Sequence, residues 1–393
     1  MNSINNCKSD LSYSARRVFI DELHLIFSDS GAMLILLLAM LIYTTIYSIA
    51  YGAEVVESVP IAVVDEDNTS LSRRFVDGLR SGPNTQVCYQ PAALYEAKQL
   101  FYNQDVSGVL YIPDGFSRDI YSGVQTDVTA VLDGSHLLLY RGVLEQATAD
   151  VLMTDAAIEV DKLVASGAVG GDVEPVIEPI SYNSHVLYNS SLGYGSFVMP
   201  SILVVIIQQT LLIGVAMVAI RRRERAVCLA NTYIQCVITI CARMFVYILI
   251  YAVSLTIALG VIWPIFGFPY NGLTRDVVLL MFIYMVAAFA FANAISYLFK
   301  RREAPMLLML WSSVPVLLLA GVSYPREAFA SWLYDIGRML PSSSAVDAFI
   351  RVGSMGASLY NVRHEVLTLV VLAMAYLSVS VWLERYYSKH RAL

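Results

Sequence analysis

Five consecutive charges, Arg221 to Arg225, open the stretch RRRERAVCLAN and stand between two long apolar runs. Such a cluster beside apolar helices can anchor them at phosphate headgroups, set their orientation or pair with charges on a partner protein. A second run, Asp65, Glu66 and Asp67, has the ligand type of a calcium site but not the spacing or terminal Glu of a calcium loop. Followed by Asn68, Thr69 and Ser70, it predicts an acidic turn and a helix N-cap, with no metal site. The five histidines (His24, His136, His185, His364, His390) are scattered, and neither H-E-x-x-H nor G-x-S-x-G occurs, so no catalytic residues are assigned. No G-x-x-x-x-G-K-[ST] loop occurs and no glycine precedes a lysine, so the chain has no P-loop of its own for ATP. The five cysteines (Cys7, Cys88, Cys228, Cys236, Cys241) form no C-x-x-C pair and indicate neither a disulfide nor a metal site.

The elements that carry these residues follow from composition. Of 393 residues, 57% are apolar and 15% charged, against about a quarter charged in soluble domains, and the mean hydropathy is +0.60. This is the composition of a membrane protein. Six stretches suit a crossing of about 20 apolar residues: 32–51, 197–220, 243–263, 276–299, 304–322 and 364–383. Asn231, Gln235, Thr239 and Arg243 recur at four-residue steps on one helix face, which predicts an interfacial amphipathic helix over 227–242 and a span beginning near Arg243. A cleaved signal peptide is disfavoured, because the first apolar run is preceded by 31 residues and is itself too long.

With six spans, Arg16 and Arg17, Arg221 to Arg225, Lys300 to Arg302, and Arg385, Lys389 and Arg391 all fall on one side. By the positive-inside rule that side is the cytoplasm, with both termini inside. The segment 52–196 then lies outside. It holds 7 basic and 20 acidic residues, a net −13, while the remainder carries +7. Strand patterns at 59–64, 85–90, 107–113 and 126–134 alternate with helical patterns after 68, at 91–103, 114–122 and 136–166, which predicts a small α/β domain. Pro175, Pro179 and the polar 181–196 lead back to the membrane. The fold class is thus a polytopic α-helical membrane protein with six transmembrane helices and an inserted extracytoplasmic α/β domain.

Polar residues within the apolar runs are candidates for a substrate pathway or for interhelical hydrogen bonds. Gln208 and Gln209 lie in the second span, Asn293 and Ser296 in the fourth, and Thr44, Thr45 and Tyr47 in the first. None is charged, so coupling to protons or sodium through intramembrane carboxylates has no visible basis. Pro315 predicts a kink in the fifth span.

The whole pattern resembles the membrane subunits of ABC-2 type transporters, in particular bacterial export permeases with a large periplasmic domain between the first two spans. The resemblance begins near Ser14. VFIDELHLIFSDSGAMLILLL is similar to the family's amphipathic connecting helix (here within 1–31) running into the first span, with Ser28, Asp29 and Ser30 replacing the usual Arg-Asp-Pro. VPIAVVDEDNTSLSRRF and GVLYIPDGFSRDI are similar to the strand-helix openings of the periplasmic domain. AGVSYPREAFASWLYDIGRMLPSSSAVDAFIRV, with Pro325, Trp332, Pro341 and Arg351, resembles the re-entrant helix pair, over 323–345.

The resemblance implies a permease in the bacterial inner membrane that exports a drug, lipid or other amphiphile. Separate ATPase subunits would bind ATP and Mg, and this chain no cofactor. It implies a second permease copy or close paralogue, lipid contact, no nucleic acid, and a periplasmic adaptor with an outer-membrane channel as further candidate partners. The segment 221–242, with Arg221, Arg222, Arg223, Glu224 and Arg225, would couple to the ATPase. Phe329, Trp332, Leu333 and Ile336 would close the outer end of the pathway, and 384–393 would be a cytoplasmic tail. The alternative is a receptor or scaffold acting through the outer domain, for which the short internal loops supply no output domain.

Overall fold

The computed structural model describes residues 15–165, 187–189, 192–224, 232–324 and 326–391. Arg225, the helix expected from 227 as far as Asn231, Pro175, Pro179 and Pro325 lie outside the described residues. The chain divides into a helical unit, Met1–Glu54 with Val186–Leu393, and a second unit, Val55–His185.

In the helical unit, α1 (Ala15–Phe27) leads into α2 (Ser30–Tyr51). The turn between them is set by Asp29, whose Oδ1 accepts the Gly31 and Ala32 N–H groups at 3.1 and 3.2 Å and so caps α2. Beyond the second unit come α7 (Tyr194–Glu224), α8 (Tyr233–Ile265), α9 (Thr274–Ser296), α10 (Ala304–Leu319), the short α11 (Ser331–Arg338) and α12 (Pro341–Phe349), and α13 (Arg363–Arg391). Helix α7 is the hub. It is 83% buried across its most apolar window, whereas α13 is 17% buried and leaves most of its apolar surface uncovered, as a lipid-facing helix does. Close crossing of α2 over α7 depends on Gly214, where a Cβ would stand 2.2 Å from Leu36 Cδ2. A small residue is what lets two membrane helices approach this closely.

Among the described residues five helices are long and apolar enough to cross a membrane. The expected crossing at 304–322 corresponds to the shorter, 16-residue apolar helix α10. At 1.5 Å per residue it is about 24 Å long, short of the roughly 30 Å hydrocarbon core. It ends before Gly321, whose φ of +80° turns the chain. One expected boundary is corrected. No surface helix gives way to a span near Arg243: α8 continues straight through it, with Thr239 and Arg243 buried and Tyr233, Ile234, Val237, Ile238 and Phe245 exposed. The polar stripe therefore faces protein and the apolar face looks outward. Glu384, expected to open a cytoplasmic tail over 384–393, is a buried residue of α13, which continues to Arg391.

The second unit is a four-stranded sheet of β1 (Val59–Asp65), β2 (Thr85–Tyr89), β3 (Gly108–Ile112) and β4 (Thr129–Leu132) in the order β2-β1-β3-β4. Strands β2 and β3 run parallel to β1 on either side, with Val59 opposite Thr85 and Ile61 opposite Gly108, and β4 is antiparallel to β3. Its helices are α3 (Ser70–Ser81), α4 (Leu94–Tyr102), α5 (Phe116–Tyr121) and α6 (Leu137–Ala165). Alternation along β1 fills both faces. Val59, Ile61 and Val63 pack with Phe75, Leu79, Phe116 and Val143, while Ala62 and Val64 pack with Ala97 and Val106. The acidic run after β1 is used for capping. Thr69 and Ser72 form a reciprocal cap on α3, Asp65 accepts from Ser72 Oγ at 2.7 Å, and Asp67 accepts from Thr69 Oγ1 and Ser117 Oγ, each at 2.7 Å. No group of three or more potential metal ligands occurs among the described residues.

Candidate functional site

Basic residues at the end of α7 sit where a helix terminus leaves its last carbonyls unpaired and favours positive charge. Here they also satisfy the ends of neighbouring helices. Arg221 donates to Leu25 O (3.2 Å) and Ser28 O (2.9 Å) at the end of α1, and its Nη1 is 3.0 Å from Asp29 Oδ2. Arg223 donates to Ser296 O (2.5 Å) and Phe299 O (3.1 Å) at the end of α9, with its guanidinium 5.3 Å from the Tyr297 ring centroid. Between them Arg222 turns inward. Its Nε is 3.1 Å from Glu22 Oε2, and its Nη2 also donates to Glu22 Oε1.

That pair belongs to a buried chain of charges. Glu22 Oε1 accepts from Tyr247 Oη at 2.9 Å, and Arg243 Nε lies 3.9 Å from Glu22 Oε2 without a hydrogen bond. Arg243 Nη1 donates to Glu384 Oε1 at 3.0 Å, and Glu384 Oε2 takes the Tyr297 hydroxyl. Two arginines and two glutamates alternate, so the cluster is neutral overall, which is what permits burial. It ties α1, α7, α8, α9 and α13 together at one end of the helical unit. On its exposed side Arg302 Nε is 3.1 Å from Glu224 Oε2 and Arg302 Nη1 is 3.5 Å from Asp29 Oδ2.

Of the residues read as an ATPase-coupling surface, Arg221, Arg222 and Arg223 are thus turned toward the chain's own helices, and Glu224 is half exposed. Sequence reasoning missed Glu22, Asp29, Tyr247, Tyr297, Arg302 and Glu384 as partners. A periodic signal existed only for Arg243, on the Thr239 stripe.

The candidate pathway residues are not joined to one another by hydrogen bonds. Gln208 is buried and its Oε1 accepts the Ser342 N–H at 2.7 Å, capping α12 from another helix. Gln209 is half-buried. Thr44 and Thr45 bond back to Met40 O and Leu41 O on their own helix, at 2.7 and 2.8 Å. Asn293 is buried, and its Nδ2 has no hydrogen-bond partner among the described residues. In the candidate outer gate, Trp332 is 63% and Ile336 47% exposed, while Leu333 and Phe329 are half-buried, Phe329 stacking on Tyr324 with centroids 6.0 Å apart. A buried Arg326 secures the loop beside them through Ser343 O (2.6 Å) and Asp347 Oδ2 (2.5 Å).

Residues 31–382 match a family model described as ABC-2 family transporter protein. Comparisons with curated proteins and with solved structures found no significant match.

Proposed function

The chain belongs to the ABC-2 family of transporter proteins, and we propose that it is the membrane permease subunit of an ATP-binding-cassette exporter. The observation that carries this reading is the family match across almost the whole chain, joined to a bundle of long apolar helices. Separate subunits would bind ATP and Mg and hydrolyse the nucleotide. This chain, with a second copy or a close paralogue, would form the path for a drug, lipid or other amphiphile. A periplasmic adaptor and an outer-membrane channel would extend that path.

We place the chain in a bacterial inner membrane with six crossings, α10 serving as a short fifth one. That arrangement puts Arg16, the α7 cluster, Lys300 to Arg302 and Arg385 on the cytoplasmic side, with both termini, and leaves the α/β unit in the periplasm. Gln209 and Asn293 remain candidates for contact with substrate, and α11, with Trp332 and Ile336, for the outer gate. The contact with the ATPase is assigned to the exposed side of the charged junction, at Glu224 and Arg302, with Arg225 next in sequence. Behind them Arg221, Arg222 and Arg223 reach α1 and α9, and Glu22 and Glu384 extend the link to α8 and α13. A push at this end would therefore move five helices as a body.

Mild-detergent purification through a C-terminal tag tests the assignment. A stoichiometric P-loop ATPase is expected to co-purify. Recovery of the folded chain alone under several gentle conditions would overturn the permease reading and favour a receptor acting through the α/β unit.

A further inference from the structure

The α/β unit contains a feature that capping and core packing leave unexplained. Along α6 the residues Leu139, Val143, Ala147, Val151 and Ile158 form the stripe that packs on the sheet side bearing α3 and α5. At the step between Val151 and Ile158 the stripe is interrupted by Thr154 and Asp155. There the core does not close. A groove of about 880 Å³ lies instead between α6, α5 and the segment 123–128. Its apolar lining includes the exposed Val124 and Leu152 and the half-buried Ile120, while Phe75, Phe116 and Ile158 reach it as buried core residues with little surface of their own. The Thr154 hydroxyl is spent on Asp150 O at 2.7 Å, so it adds little polarity to the wall.

The charges around this groove are unequal. Asp127, Asp155 and Glu159 line it against one cation, Lys162, which lies 3.7 Å from Glu159. The nearby Arg74 is paired with Asp161 at 3.9 Å and adds no net charge. The volume falls in the range of small-molecule sites, about 300–1,000 Å³, which combine an apolar lining with a few polar groups. Carboxylates at the mouth attract an organic cation, and the apolar wall suits its body. A bare metal ion would gain nothing from the apolar floor, and an anion would meet the carboxylates.

We propose that this groove binds an amphiphilic organic cation, its apolar body against Ile120, Val124 and Leu152 and its positive centre toward Asp127 and Asp155. The claim concerns binding by the α/β unit and does not depend on the export reading.

The test uses the full-length protein in detergent and radiolabelled tetraphenylphosphonium in equilibrium dialysis, with tetraphenylborate as a probe of the same shape and opposite charge. Saturable binding of one tetraphenylphosphonium per chain is expected, weakened about tenfold in Asp127→Asn/Asp155→Asn, with no saturable binding of tetraphenylborate. Both carboxylates are exposed, so the variant should retain the wild-type thermal unfolding profile. If it does not, the wild-type protein still decides the matter. Raising salt from about 50 mM to about 500 mM should weaken a bond to exposed carboxylates, and salt-independent binding would contradict the proposal. Absence of saturable binding, equal affinity in a folded double variant, or equal binding of tetraphenylborate would each overturn it.

Discussion

Arg222 and Glu22, 200 residues apart in the chain, meet as a buried ion pair, with side chains 8% and 2% exposed. Removing one partner of such a pair strands a charge and costs about 3–5 kcal/mol, while replacing both with apolar residues costs far less. Arg222→Met is therefore expected to lower the unfolding temperature in detergent sharply. Glu22→Leu/Arg222→Leu should recover part of the loss, because the Arg243 to Glu384 contact at 3.0 Å remains. Equal destabilisation by the single and double replacements would contradict the pairing.

Gln208 is expected to act as a cap for α12. Gln208→Leu would leave the buried Ser342 N–H unpaired, a loss of about 1–3 kcal/mol, whereas the half-buried Gln209→Leu should be close to neutral. Thermal unfolding of the two variants side by side separates them, and equal melting temperatures would contradict the capping role.

At the α2 and α7 crossing, Gly214→Ala places a methyl against Leu36 Cδ2 and Cγ, 2.2 and 2.5 Å away. Overpacking of this kind costs about 1–3 kcal/mol. Leu36→Ala should restore stability to Gly214→Ala more than additivity allows, and a strictly additive pair would contradict the close crossing.

Acid should loosen the α/β unit through particular carboxylates. Burial pushes Asp67 up, but hydrogen bonds from Thr69 and Ser117 outweigh it and hold the group below the ordinary 3.8. Asp133 is held at about 2 by hydrogen bonds from Ser135 and then His136, beside the start of α6. A depressed folded pKa contributes stability that is fully present above the unfolded value. It is lost as pH falls from there through the folded one. For Asp133 that window runs from about 3.8 down to about 2. Circular dichroism across this range should show a shallower acid limb for Asp67→Asn/Asp133→Asn than for the wild type, from a lower neutral stability. An unchanged limb would contradict the assignment.

Much of the fold was legible because its signals are local. Val59 to Val64 is apolar on both faces, and Thr69 begins a helix beside its own capping partner Ser72. The junction was not legible in the same way. Nothing near Glu22 in sequence announces an arginine 200 residues on, and Glu384 reads as the start of a tail because a charge there normally marks the membrane surface. The stripe ending at Arg243 shows the same limit. Periodicity reveals that a helix has a polar face but not what meets it, and here buried carboxylates do, which reverses the surface expected to face water. Gln208 similarly reads as a pathway residue until the distant N-terminus it caps is known.

The most direct measurement is ATP hydrolysis by the complex purified through this chain, compared with Glu224→Ala/Arg302→Ala. An ATP-driven permease with its coupling surface at the charged junction predicts Mg-dependent hydrolysis that co-elutes with the chain. In the folded double variant hydrolysis should fall about tenfold, the weight of one close charge pair at an interface. A folded wild-type chain that elutes without a hydrolysing partner would contradict the permease assignment, and undiminished hydrolysis in the variant would contradict the coupling site.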